Sequence, residues 1–148
     1  MIYTAKTKKA LKICFEAHKE QSDKTGMPYV FHPFHLAEQM KDETTTIVAL
    51  LHDVAEDTDI TLDDLRNEGF NSEVIDALTL LTHDPAIPYM DYVEKIKTNH
   101  VAKAVKLADL AHNSDMTRFD TITDFDIKRN EKYKEAIKRL NGEQEGKG

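Results

Sequence analysis

Along the chain, apolar residues return at helical rather than alternating intervals. Leu11, Cys14, Phe15 and His18 fall at i, i+3, i+4 and i+7, which predicts one face of a helix from about Thr4 to Glu20. Ser22 to Pro28 reads as loop, with Gly26 free to take positive φ and Pro28 barring continuation. His32-Pro33 suits the start of a short second helix, because proline is favoured at the first helical position. Asp42 precedes a helix expected from about Thr44 to Glu56. Its middle, Ile47 to Leu51 with Val54 and Ala55, is apolar on every side and so predicted to be buried all round.

Thr61 with Asp64 has the form of a capping box, opening a short helix that ends near Gly69. Ser72 is expected to cap the next, with Val74, Ile75, Leu78 and Leu81 facing inward. A loop containing Pro85 and Pro88 leads to a helix with Tyr89, Tyr92, Val93 and Ile96 on one side. Val101 to about Asn113 predicts another, and from about Asp126 the spacing of Tyr133, Ala136, Ile137 and Leu140 predicts the last. No segment alternates well enough to compete for strand. The expectation is an all-α fold: one bundle-like domain of about seven helices over residues 1–140, then a disordered tail, 141–148, polar and glycine-rich.

Composition narrows the function classes. At 148 residues one domain is the default, and 40% hydrophobic with 32% charged residues is the balance of a soluble globular chain. No apolar run approaches the roughly 20 residues of a membrane span, and the N-terminal stretch from Met1 to Lys6 lacks a signal peptide's hydrophobic core. A cytoplasmic protein is therefore expected. Cys14 is the only cysteine, which excludes an internal disulfide framework and a cysteine-rich zinc site. Twenty Lys+Arg against 27 Asp+Glu leave a formal charge of −7, which argues against nonspecific nucleic-acid binding. Seven histidines are the informative surplus.

The chemistry shows as a contradiction inside the apolar helix. Leu50-Leu51-His52-Asp53-Val54-Ala55-Glu56-Asp57 carries ionisable groups into the predicted core, and an unpaired buried carboxylate protonates unless a cation or several donors compensate it. The helix from Val101 repeats the feature, with Asp109 among small apolar residues. His32, fixed beside Pro33, is a third piece. His32, His52, Asp53 and Asp109 together offer two imidazoles and two carboxylates. That mixed set suits Mn²⁺, Fe²⁺, Co²⁺ or Zn²⁺ better than Ca²⁺. Glu56, one turn beyond His52 and Asp53, is placed to hold or deprotonate an attacking water, and Asn113, at i+4 from Asp109, to face the same cavity.

The order His…His-Asp…Asp resembles that of the HD-domain metal-dependent phosphohydrolases. Longer strings resemble the hydrolase domain of the RelA/SpoT family: Ala17-His18-Lys19-Glu20-Gln21, Lys24-Thr25-Gly26-Met27-Pro28-Tyr29, His32-Pro33, Leu50 through Thr58, and Lys106-Leu107-Ala108-Asp109 with Asn113. The likeness runs from about Ala5 to about Leu140. It implies an all-α domain holding one Mn²⁺ that removes the 3′-pyrophosphate of guanosine tetra- and pentaphosphate, giving GDP or GTP and pyrophosphate. On that likeness His32, His52, Asp53 and Asp109 are metal ligands, Glu56 and Asp57 orient and activate the water, Asn113 contacts the nucleotide, and Lys24 meets its phosphates. The length leaves no room for the family's synthetase domain, so a stand-alone hydrolase of a small-molecule nucleotide is expected.

Departures from the family bear on substrate. Asp23-Lys24 stands where alarmone hydrolases usually carry Arg-Lys, and Leu110 where an arginine usually follows the metal-binding aspartate. Asp23 would repel a polyanion unless it points away, and Arg118 is the candidate for a relocated cationic contact. Two other readings stay open: a phosphatase of another, less charged nucleotide, and a nucleotide-sensing module without catalysis. Individual residues also have plain alternatives. The His52-Asp53-Glu56 group could form a buried ion-paired helix, His32 could cap its helix, Asp109 could pair with Lys106, and Lys24 could be solvated. His18 reads as core or as support behind the ligands, His35, His83 and His100 as surface or loop, and His112, at i+3 from Asp109, as a neighbour of the site or equally as packing.

Overall fold

A computed structural model describes residues 1–142; the expected tail lies, from residue 143 on, outside the described residues. Among the described residues there are nine α-helical segments and no named strand. They are α1 (Ala5–His18), α2 (Phe31–Glu38), α3 (Glu43–Leu51), α4 (Val54–Asp57), α5 (Leu62–Asn67), α6 (Ser72–Leu81), α7 (Tyr89–Ile96), α8 (His100–Asn113) and α9 (Asp124–Leu140). A 3₁₀ turn, Met116–Arg118, links the last two. The fold is all-α, as the periodicity predicts.

Helix starts follow side-chain chemistry. Thr4, Thr61 and Thr123 each close a capping box, and Asp42 Oδ1 accepts from Thr45 N–H at 2.8 Å. The cap of α6 is Asn71, whose Oδ1 accepts from Val74 N–H at 3.0 Å, and not Ser72, which is the first helical residue. Pro33 lies third in α2, still within the first turn, whose N–H groups lack intrahelical acceptors. The buried stripe of α1 runs Thr7, Ala10, Cys14, His18. Phe15 therefore falls at its margin and is 48% exposed, where the sequence put it on the inner face.

The centre of the molecule is α3, packed against α1, α2, α6 and α8. Ile47, Val48, Ala49, Leu50 and Leu51 are each at most 2% exposed. Fully burying one such Val, Leu or Ile side chain contributes about 1.5–3 kcal/mol, so this run anchors whatever its C-terminal end carries. The single helix expected through Glu56 breaks there. His52 Nδ1 bonds to Ala49 O at 2.7 Å, taking the carbonyl that would accept from Asp53 N–H in an uninterrupted helix. Asp53 adopts φ −105°, ψ 0°, and the chain restarts as the single turn α4. The break turns Asp53, Glu56 and Asp57 outward while His52 stays behind in the core.

Candidate metal and active site

The site begins at the broken end of α3. The partner of His52 Nδ1 is a carbonyl, so Nδ1 carries the proton and Nε2 a bare lone pair. Nε2 is buried without a hydrogen-bond partner. It faces Asp53 Oδ2 at 3.0 Å and Asp109 Oδ1 at 3.6 Å. From α2, His32 Nε2 reaches Asp109 Oδ1 at 2.8 Å. One ligand atom each from His32, His52 and Asp109 lies within 4.8 Å of the other two, and all three residues are buried. A lone pair turned toward two carboxylate oxygens is unfavourable unless a proton or a positive charge lies among them. The donor set therefore fits a divalent cation. Asp53, the fourth ligand expected from the sequence, lies outside this trio: its Oδ2 contacts His52 Nε2 and accepts from Tyr29 O–H.

Charge is distributed unequally over the two carboxylates. Burial alone would raise the Asp109 carboxyl, but the Lys106 ammonium, 3.0 Å from Oδ2, and the facing imidazoles hold it well below the usual carboxylate range. Asn113 Nδ2 adds a donor to Oδ1 at 3.1 Å. Among the described residues, Asp53 has no such lysine or arginine partner. Its burial, and then the Asp109 charge, push it well above the ordinary value. Lys106 is seated over the Tyr92 and Tyr89 rings, 5.3 and 5.8 Å from their centroids.

In front of the ligands opens a cleft of ≈ 620 Å³. Every expected metal ligand, catalytic acid and substrate contact lines it except His52, which is buried behind Asp53. Glu56 and Asp57 form part of its wall from α4. Partial burial, then the Asp57 charge, raise the Glu56 carboxyl, the direction a proton acceptor working near neutrality requires. Lys24 enters from the loop after α1, over the Phe119 and Tyr133 rings at 5.4 and 5.7 Å. Lys132, from α9, lies 4.5 Å from the Tyr89 centroid. Among the described residues, Asp53, Glu56 and Asp57 lack a lysine or arginine partner within ion-pair distance, and Lys24 and Lys132 lack a carboxylate one. Unpaired anions thus come from the α3–α4 side and unpaired cations from the facing elements.

The two departures noted in the sequence have structural accounts. Asp23 Oδ1 accepts from Thr25 N–H at 2.8 Å and Met27 N–H at 3.1 Å, so it shapes the loop, while its Oδ2 meets Arg118 Nη2 at 3.2 Å. Arg118 also donates to His112 O at 2.8 Å. Arg118 lines the cleft, yet its guanidinium is already engaged. Leu110 is fully buried in the core.

A family model described as HD domain matches residues 10–116. The chain belongs to the HD-domain family. Among named relatives, this HD-domain chain is 40% identical over 85 residues to the guanosine-3′,5′-bis(diphosphate) 3′-pyrophosphohydrolase of Aquifex aeolicus, covering 55% of this chain and 12% of that protein. It is 37% identical over 114 residues to the mouse protein MESH1, which bears the same enzyme name, covering 67% and 63%. It therefore spans less than two thirds of either relative. A solved structure of a metazoan ortholog of SpoT, described as hydrolysing ppGpp, superposes with a TM-score of 0.74 over 98% of this chain and 90% of its own, at 24% identity. That likeness carries the HD-type fold.

Some parts of the HD-domain site were not assigned from the sequence. The sequence offers Lys106 only as a partner that could neutralise Asp109, and i+3 spacing does place it beside the carboxylate. Lys132 precedes Tyr133, and nothing local marks it for the cleft. The sequence leaves His112 between a neighbour of the site and packing, and its Nδ1 lies 2.7 Å from His32 Nδ1. A ligand histidine needs a partner for its second nitrogen, and that requirement was the available signal.

Proposed function

We propose that this chain is a metal-dependent pyrophosphohydrolase of a pyrophosphorylated nucleotide, with guanosine 3′,5′-bis(diphosphate) the leading substrate and Mn²⁺, among Mn²⁺, Fe²⁺, Co²⁺ and Zn²⁺, the leading cation. The observation that carries the reading is the orphaned Nε2 of His52, turned with two carboxylates toward a cleft that opposes free acids to free lysines. The enzyme name shared by the Aquifex and mouse relatives supports the substrate. A nucleotide substrate implies a cytoplasmic place of action.

His32, His52, Asp53 and Asp109 would hold the ion. When bound, a divalent cation neutralises phosphate charge and makes water a better nucleophile near neutral pH. Glu56, with Asp57 beside it, takes a proton from the water that attacks the phosphorus nearest the sugar. The bond from that phosphorus to the 3′ oxygen breaks, and the sugar oxygen leaves with a proton. Lys24 and Lys132 neutralise the distal phosphate, and Asn113 holds Asp109 and borders the nucleotide. Arg118 contributes by ordering Asp23 and the loop that carries Lys24.

Two variants test the division of labour. Asp53→Ala should lose both cation binding and pyrophosphate release, whereas Glu56→Gln should bind the cation and lose turnover. Full turnover by Glu56→Gln would remove the assigned base. A second reading, a phosphatase of a less charged nucleotide, is favoured by the Asp23–Arg118 pair, which occupies a guanidinium a polyphosphate would otherwise use. Comparing kcat/KM for the bis(diphosphate) with that for nucleoside monophosphates decides between them.

A further inference from the structure

The two histidines at the cation site are held in unlike ways. His52 Nδ1 faces the Ala49 carbonyl, which can only accept, so its tautomer is fixed. His32 Nδ1 faces His112 Nδ1 at 2.7 Å. The two ring planes are 10° apart and the centroids 4.9 Å apart. With the nitrogens so much closer than the centroids, the rings lie edge to edge, the geometry of an N–H···N hydrogen bond rather than of face-to-face stacking. Such a bond needs one donor and one acceptor, and an imidazole nitrogen can be either.

Two neutral arrangements satisfy the same heavy atoms. In one, His112 Nδ1–H donates to His32 Nδ1, and His32 Nε2–H donates to Asp109 Oδ1, 2.8 Å away. In the other, His32 Nδ1–H donates to His112 Nδ1, and His32 Nε2 presents a lone pair to the ligand cluster. We infer that His112 is a positioning residue that switches His32 between these tautomers, making its Nε2 a donor to Asp109 in one state and a cation ligand in the other. The inference rests on the cation reading above. His32 releases its Nε2 proton to solvent and takes the Nδ1 proton of His112, which regains one at Nε2 from solvent, so the chain carries the same number of protons in both states.

The test uses the whole chain. A two-bond proton–nitrogen correlation spectrum of the imidazoles, with Zn²⁺ as the diamagnetic probe, should show the proton of His112 moving from Nδ1 in chelator to Nε2 on loading. His112→Phe, which keeps a ring and removes the acceptor, should weaken Zn²⁺ and Mn²⁺ binding by about 10–100-fold by calorimetry. His112→Asn, which returns an acceptor oxygen, should recover part of that loss. His35 is exposed, with its ring 4.2 Å from that of His112 and no bond to His32, so His35→Ala should leave cation affinity unchanged. If the wild type binds Zn²⁺ and His112 keeps its Nδ1 proton, or His112→Phe binds as tightly, the switch is overturned and the cation site stands. If the wild type binds neither ion, the cation reading itself falls.

Discussion

Lys106→Met is the most demanding perturbation of the charge balance behind the cleft. It preserves stem length and removes the ammonium, which lies 3.0 Å from Asp109 Oδ2 with both side chains about one tenth exposed. Breaking a buried pair by removing one partner costs about 3–5 kcal/mol, because the remaining charge stays desolvated. The attraction of the desolvated ammonium to the Tyr89 and Tyr92 faces can add up to about 2 kcal/mol each. For a chain of this size a loss of about 3–5 kcal/mol lowers Tm by roughly 6–20 °C. The assay is thermal and urea unfolding followed by circular dichroism, in chelator and then in Mn²⁺. Lys132→Met is the control, since Lys132 touches the same Tyr89 ring yet is exposed and forms no ion pair among the described residues; it should stay within about 1 kcal/mol of wild type. Saturation at a hundred times Kd stabilises a binding protein by about 2.7 kcal/mol. Lys106→Met should gain more than that, because the ion then supplies the positive charge that Lys106 no longer provides beside Asp109. A variant that melts within about 2 °C of wild type in chelator would refute the reasoning, as would one that gains no more from Mn²⁺ than wild type does.

Further outcomes follow from the caps, the core and the rim. Thr45 N–H, and then its hydroxyl, hold the Asp42 carboxyl below the usual range. Its contribution is therefore complete above the ordinary carboxylate pKa and fades as pH falls through the depressed value. Asp42→Ala should cost about 1 kcal/mol near pH 7, with the gap to wild type closing toward pH 2 in urea titrations. Leu50→Ala, at a site with no exposure, should cost about 2–5 kcal/mol in the same titration while leaving the ligand residues in place. Lys132→Ala should raise KM for the bis(diphosphate) about two- to five-fold, an effect that fades with added salt, and leave cation affinity unchanged.

The helices were legible because burial of α3, α6 and α8 writes itself into apolar spacing, and because Thr61 and Asp64 form a local capping box. The break after Leu51 was not legible. It depends on an imidazole competing for a backbone carbonyl, and the apolar pattern runs through it unchanged. The outward turn of Phe15 reflects the same limit: spacing marks a stripe, and tertiary contacts choose which edge is covered. For the site, ionisable groups inside an apolar run were the visible signal, and His32, His52 and Asp109 do converge. What escaped was pairing across long separations. That Asp23 holds Arg118 and that His112 meets His32 are facts of packing between elements up to 95 residues apart in the chain.

Calorimetric titration of Mn²⁺ into the chelator-treated chain, repeated with His52→Ala and Asp109→Ala, tests the central claim most directly. One ion per wild-type chain, with binding abolished or weakened at least a hundredfold in both variants, is the expected result. Undiminished binding by variants that still fold, or no binding by the wild type, would contradict the assignment of these side chains to a single cation.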